Sequence, residues 1–192
     1  MPPVSTETPL RAHRLEQRAA EIEAAVQRTA SRCPDVAVTE TVALRLLVML
    51  GREISALLEQ TLRPHGLNET EFRTLMMLFS QPDGVAHPGE LCASAAQSPA
   101  NMTRVSDGLC ERGLITRVAC EHDRRRAILR ITPAGEALAR ELLPHTEALT
   151  RSLFEPVSAA DRQSLLEQLR ALTARIDLHV QSAPSADLAT SR

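Results

Sequence analysis

The chain has 192 residues and a mass of 21.0 kDa, which suits one compact domain with extensions and excludes two large independent domains. Its 43% apolar and 24% charged residues are typical of a globular protein, although Trp, Tyr and Lys are all absent. The net charge of −2 excludes a globally basic nucleic-acid binder, so such a role has to rest on a local cluster of charge.

A local basic cluster does occur between residues 104 and 130, where seven Arg stand against four acidic residues. This segment carries +3 and leaves about −5 on the rest of the chain. All 22 basic residues are Arg, which we interpret as coding bias rather than as a functional signal.

Targeting, membrane and metal motifs are not found. The N-terminus shows no cationic start followed by an apolar run, and no apolar stretch approaches the ~20 residues of a membrane span, so we expect a cytoplasmic protein without membrane contact. The cysteines are too far apart for a zinc site or a disulfide framework, and we expect no metal and no cofactor. They are Cys33, Cys92, Cys110 and Cys120.

Two helices are predicted in the N-terminal third. Apolar residues recur every three or four positions over 15–26, which predicts a helix that ends before Cys33. A longer helix is predicted from about Thr39 to Arg63, and Pro64 with Gly66 would end it.

The middle of the chain predicts a helix-turn-helix. Asn68–Glu71 has the pattern of a capping box and starts a helix that Pro82–Gly84 would end. Pro88 opens a third helix, residues 97–99 break it, and a fourth runs from about Pro99 to Arg112. Two short helices joined by a tight turn are the arrangement of a helix-turn-helix.

A hairpin and two further helices follow. Residues 114–118 and 127–131 read as two strands, and the loop 120–126 is their charged tip. A long helix then begins near Pro133, with a bend or interruption expected at Pro144.

The last predicted helix opens at Ser158 and carries apolar residues at near-heptad spacing, which favours a partner helix. These residues are Leu165, Leu169, Leu172, Ile176 and Val180.

The element order predicts a mainly α fold with a small two-stranded β wing, that is, a winged helix-turn-helix with helical dimerisation arms at both chain ends. We divide the chain into disordered tails at 1–9 and 181–192, N-terminal dimerisation helices at 10–66, a DNA-binding lobe at 67–133 and C-terminal dimerisation helices at 134–180. A monomeric helical bundle is the alternative.

The fourth helix has the chemistry of a recognition helix. Met102, Val105 and Leu109 form its apolar stripe, which leaves the opposite face for a major groove. Arg104 and Asn101 suit guanine and adenine edges respectively, whereas Ser98 and Thr103 suit phosphates. The predicted DNA-binding face comprises Ser98, Pro99, Ala100, Asn101, Thr103, Arg104 and Asp107.

Six short motifs resemble, in order, those of MarR-type winged-helix regulators over about residues 38–175. They are Leu67–Phe72, Pro88–Leu91, Asn101–Arg104, Glu111–Gly113, Asp123–Arg125 and Ile131–Gly135. Within that family the chain is most similar to the EmrR branch of multidrug-efflux repressors. The resemblance implies a homodimer that binds a pseudo-palindromic double-stranded operator and is released by a small aromatic or lipophilic effector, anionic effectors included.

The resemblance also marks the wing. Three consecutive Arg at a hairpin tip repel one another, and a narrow minor groove attracts such residues. The family's Asp-x-Arg pattern falls on Asp123 and Arg125, which implies that Asp123 orients Arg125 for the minor groove. Arg124 and Arg126 are then expected on phosphates.

The effector pocket is the feature that the sequence predicts least well. Pockets of the family lie where the dimer arms meet the DNA-binding lobe, and cationic and thioether side chains there would suit an aromatic anion. The candidates are Arg45, Met49, Arg52, Arg73, Met76 and Met77.

The sequence leaves other functions open. Oxidation of Cys33 would be a redox switch, but peroxide-sensing relatives hold their thiolate with Tyr, and this chain has none. A regulator of aromatic-compound catabolism is a further alternative. An enzyme is disfavoured because the six His are scattered and neither a nucleophile elbow nor a phosphate-binding Gly loop occurs. A helical adaptor for a protein partner would differ from a DNA binder in its weak salt dependence.

Overall fold

The computed structural model describes residues 8–95, 97–119 and 127–182. Its elements, in chain order, are α1 (Thr8–Ala30), α2 (Val38–Leu62), a short 3-10 turn (Arg63–His65), α3 (Glu69–Ser80), β1 (Val85–Ala86), α4 (Pro88–Ala95), α5 (Pro99–Glu111), β2 (Ile115–Ala119), β3 (Ala127–Ile131), α6 (Pro133–Phe154) and α7 (Ala159–Ser182). The predicted order of helices and hairpin strands is confirmed.

The outer ends of α1 and α7 extend beyond the sequence prediction. Helix α1 begins at Thr8, so residues 8 and 9 are helical rather than part of a tail, and α7 continues through 181 and 182. The added residues Thr8, Pro9, Gln181 and Ser182 do not continue the apolar stripes, so hydrophobic periodicity gave no signal there. Residues 1–7 and 183–192 lie outside the described chain.

The sheet has three strands rather than the predicted two. β3 lies in the centre, with β2 on one side and β1 on the other, all antiparallel. Val85 pairs with Arg130, and the turn before it needs Gly84, whose φ is +67°. A two-residue strand is too short to show alternation, so this strand could not be predicted from the pattern.

Local capping agrees with the sequence. The Asn68 side chain accepts a hydrogen bond from the Glu71 N–H at 2.9 Å, and the Glu71 carboxylate accepts one from the Asn68 N–H at 2.9 Å. This is the predicted capping box at the start of α3. Gly66, with φ +66°, ends the turn after α2.

One apolar core holds the lobe together. Each helix and strand from α2 to α6, apart from the 3-10 turn and the short strand β1, contributes a fully buried side chain, and burial of a Leu or Ile contributes roughly 1.5–3 kcal/mol. These side chains are Leu62, Leu75, Leu91, Leu109, Ile115, Leu129 and Leu142. The core therefore fixes α5 against both the sheet and the neighbouring helices.

The chain divides into two compact units at Leu142 and Leu143. In the first unit, α1 packs on α2 through the buried Val26, and Arg18 makes an ion pair with Glu53 at 2.8 Å. The second unit holds the end of α6 and all of α7. Helix α6 runs through Pro144 as one continuous helix, so of the two expected outcomes, a bend or an interruption, the interruption does not occur.

No helix in the described chain combines the length and the apolar character needed to cross a bilayer. Among the described residues, no cluster of His, Cys, Asp and Glu is arranged to hold a metal ion.

Candidate nucleic-acid interface

Helix α5 is fixed at its start and along one face. Ser98 is its N-cap, with the hydroxyl oxygen accepting a hydrogen bond from the Asn101 N–H at 3.2 Å, and Pro99 occupies the first turn. Met102, Val105 and Leu109 are buried, as their spacing predicts. The N-terminal end of α5 therefore has a fixed orientation on the lobe.

The opposite face of α5 is open to solvent. Thr103 and Arg104 are exposed, whereas Asn101 and Asp107 are half-buried. Residues 98–100 are exposed and small, so the backbone at this end of the helix is accessible. The structure thus brings the seven predicted residues of this helix together at its N-terminal end and outer face.

Three side chains form a hydrogen-bonded series at this face. Arg104 donates from Nη2 to Asn101 Oδ1 at 3.0 Å. Asn101 in turn donates from Nδ2 to the side-chain oxygen of Gln97. Sequence reasoning missed Gln97, although its spacing of four residues from Asn101 is that of neighbours on a helical turn.

Asp107 is engaged with the sheet. Arg117 on β2 reaches across to it, with Nη2 of Arg117 2.6 Å from Oδ1 of Asp107 and both side chains nearly half exposed. The pair links α5 to β2 and reduces the negative charge that Asp107 alone would present to a phosphate. No sequence pattern indicates this contact, because it depends on the packing of the strand against the helix.

The predicted wing residues Asp123, Arg124, Arg125 and Arg126 lie outside the described residues. What the structure does describe is the pair of strands on either side of them. β2 and β3 pair from Ile115 with Ile131 to Ala119 with Ala127, so the hairpin predicted from the sequence is confirmed as far as residues 119 and 127.

A cavity of about 760 Å³ lies between α4, α5 and the sheet. Its lining includes Cys92, Met102, Thr103, Ser106 and Arg117. The Ser106 hydroxyl is buried and has no hydrogen-bond partner within the described chain. The sequence could have indicated that Ser106 is buried, because this residue lies between Val105 and Leu109 on the apolar side of the helix.

The six predicted effector residues occupy different environments. Met49 is buried, and Met76 and Met77 pack against the core. The three arginines are exposed, and Arg73 makes an ion pair with Glu69 at 2.5 Å. Arg52 lines a shallow cavity of about 480 Å³ along α2.

The described thiols are free and differ in burial. Cys33 is exposed, whereas Cys92 and Cys110 are half-buried. Burial raises the pKa of the Cys110 thiol, with Arg117 acting against this rise and Asp107 adding to it. At a given pH, a smaller fraction of Cys110 is therefore in the nucleophilic thiolate form than for a cysteine of ordinary pKa.

Comparisons with known proteins agree with this architecture. A family model described as MarR family matches residues 65–126. The transcriptional repressor MprA of Escherichia coli is 31% identical over 156 residues, which cover 81% of this chain and 89% of MprA.

Solved structures show the same fold. AbsC, a MarR family transcriptional regulator from Streptomyces coelicolor, superposes with a TM-score of 0.68 at 22% identity, covering 74% of this chain and 97% of AbsC. BpsR of Bordetella bronchiseptica, whose DNA binding is regulated by 6-hydroxynicotinic acid, has a TM-score of 0.61 at 26% identity and covers 67% of this chain and 91% of BpsR.

Proposed function

Because the chain belongs to the MarR family of transcriptional regulators, we propose that it is a homodimeric repressor that binds a pseudo-palindromic operator and leaves it when a small phenolic or lipophilic compound binds. The observation that carries this proposal is the outer face of α5, where exposed polar side chains stand on a helix held by a buried core. The proteins to which the chain is similar are regulators of transcription and not enzymes.

In this proposal α5 enters the major groove with its N-terminal end. Arg104 reads a guanine edge, because a guanidinium can donate two parallel hydrogen bonds to it. Ser98 and Thr103 contact phosphates close to the helix N-terminus, where backbone N–H groups favour an anion. Pro99 and Ala100 leave room for the backbone to approach the DNA.

The wing supplies the second contact. Arg125 enters the minor groove with Asp123 orienting it, and Arg124 and Arg126 bind phosphates. The support for this assignment is the run of Arg in the sequence together with the paired strands β2 and β3 that flank it.

Dimerisation is proposed for the helices at both ends of the chain. On α2 the side chains of Leu44, Val48 and Ile54 are about half exposed, and α7 carries a longer exposed apolar series. Apolar surface of this extent favours association with a second copy. A dimer would set two α5 helices about one DNA turn apart, roughly 34–36 Å.

A multidrug-efflux operon is the proposed target, supported by the likeness to MprA. Control of aromatic-compound catabolism is the alternative, supported by the likeness to BpsR with its hydroxylated aromatic acid. Genes for an efflux pump beside this gene would favour the first proposal, and genes for aromatic degradation would favour the second.

Two places compete for the effector. The first is the region of the six predicted residues on α2 and α3, and the second is the cavity beside α5, where Ser106 offers an unpartnered hydroxyl. In either place the effector releases DNA only if it binds better to the dimer whose recognition helices are wrongly spaced. Ser106→Ala and Arg52→Ala would separate the two, because each should weaken the response to 4-hydroxybenzoate or 1-naphthol only if its own site is used.

The direct test of the proposed function is selection from a random pool of DNA duplexes with the full chain. We expect an inverted repeat with half-sites about 10 base pairs apart, and an affinity that falls steeply as salt rises. A chain that enriches no duplex at low salt would contradict the proposal and would favour the adaptor interpretation instead.

A further inference from the structure

The exposed guanidinium of Arg104 is connected to the end of the preceding helix by three hydrogen bonds. Arg104 donates to Asn101 Oδ1 at 3.0 Å, and Asn101 donates to Gln97 Oε1. Gln97 donates from Nε2 to the backbone oxygen of Ala95, the last residue of α4, at 3.2 Å. The series therefore spans the turn of the helix-turn-helix.

The direction of this series is fixed from both ends. A backbone carbonyl can only accept a hydrogen bond, and a guanidinium can only donate. With Ala95 at one end and Arg104 at the other, a single orientation of the Gln97 and Asn101 amides satisfies all three bonds.

The two amide residues are also held by their backbones. The Gln97 N–H donates to the Cys92 oxygen at 3.0 Å, and the Asn101 N–H donates to the Ser98 hydroxyl at 3.2 Å. Both side chains are half-buried, whereas Arg104 is exposed. The series thus joins two amide side chains that are held in place to the exposed Arg104, whose guanidinium makes no other hydrogen bond to the described residues.

We propose that Asn101 is a positioning residue that directs the Arg104 guanidinium toward DNA, and that the base preference of this helix rests on Arg104. The inference depends on the proposed DNA-binding function. An adenine contact by Asn101 would have to use the remaining lone pair of its amide oxygen and the remaining hydrogen of its amide nitrogen, because the series already engages one of each. Ordering the long Arg side chain before binding reduces the conformational entropy lost in the complex.

The test is a double-mutant cycle on the duplex that the wild-type chain selects. Asn101→Ala should weaken binding about tenfold, the scale expected when one ordering contact is lost, and should flatten the preference at the same base pair that Arg104→Ala flattens. In the Arg104→Ala background, Asn101→Ala should change the affinity by less than about twofold. Asn101→Asp, which keeps an acceptor for Arg104, should retain the base preference.

Thr103→Val is the matched control on the same face. It should lower affinity without altering the preference at the base pair that depends on Arg104, and far-UV circular dichroism should show that all variants fold. The inference is overturned if Asn101→Ala alters a different base pair, or if its loss of affinity persists undiminished in the Arg104→Ala background. Failure of the proposed function is seen earlier and separately, because the wild-type chain would then select no duplex.

Discussion

Helices α5 and α7 differ in where their apolar side chains go. α5 has 13 residues and buries four of them, whereas α7 has 24 residues and buries none. The apolar side chains of α7 range from 38% exposed at Leu165 to 70% at Val180. The orientation of α5 is thus determined within one chain, while the apolar face of α7 is left for the second copy that the proposed dimer supplies.

The same substitution, Leu to Ala, made in α5 and in α7 should give the largest difference between the two helices. Leu109 in α5 is fully buried, so Leu109→Ala should lower the free energy of unfolding by about 2–5 kcal/mol. Leu172 in α7 is 39% exposed, so Leu172→Ala should change the unfolding of the isolated chain by less than about 1 kcal/mol and should instead weaken self-association. Urea unfolding at low protein concentration measures the free energy of unfolding of both variants. Equal losses in the two variants would contradict the distinction between α5 and α7.

Two glycines give a second matched pair. A Cβ at Gly135, in the first turn of α6, would lie 2.1 Å from the Leu114 oxygen and 2.9 Å from a side-chain carbon of Ile131. Gly135→Ala should therefore destabilise the lobe by about 3 kcal/mol. A Cβ at Gly51 in α2 would meet nothing within 4 Å, so Gly51→Ala should stabilise a single chain by about 1 kcal/mol. Thermal unfolding would contradict the packing if the two changes had the same sign.

Sequence was sufficient wherever a local rule determines the structure. The capping box at Asn68, the N-cap at Ser98 and the Pro residues that open α4 and α5 act within a few neighbouring residues. The apolar stripe of α5 is likewise a matter of spacing. These local signals give the order of nearly all elements and the outer face of the recognition helix.

The remainder depends on contacts between distant parts of the chain. Strand β1 exists because Val85 pairs with Arg130, and the Asp107–Arg117 ion pair needs α5 packed against β2. The predicted effector residues were chosen for their cationic or thioether chemistry and occupy different environments, because periodicity cannot separate a buried Met49 from an exposed Arg52. The series through Asn101 had a spacing signal, but its direction follows from the Ala95 carbonyl of α4 at one end and the Arg104 guanidinium at the other.

A substitution in the wing should change DNA binding without changing the fold. Arg125→Ala should weaken binding to the selected duplex by about ten- to a hundredfold, the range for losing one specific contact, and should leave the dimer intact. Arg151→Ala on α6 removes the same charge beside Glu147 and should have little effect on binding. Fluorescence anisotropy measures both variants, and unchanged binding by Arg125→Ala would contradict the assignment of the wing.

The alkylation rates of the Cys33 and Cys110 thiols should show the smallest difference. Cys33 is exposed, whereas the pKa of Cys110 is raised by burial, so at neutral pH Cys110 holds less thiolate than an ordinary cysteine and should be alkylated more slowly. The Cys110 rate should rise with pH and should level off at a higher pH than the rate of an ordinary cysteine. Peptide mapping after timed iodoacetamide treatment measures each site, and a faster reaction at Cys110 would contradict the burial of this helix.

Sedimentation equilibrium of the full chain, with and without its selected duplex, tests most directly whether one chain supplies the DNA-reading lobe and two chains complete the arms. We expect twice the 21.0 kDa chain mass for the free protein and one such pair on each duplex. A protein that stays at 21.0 kDa over the concentrations at which it binds that duplex would contradict this expectation.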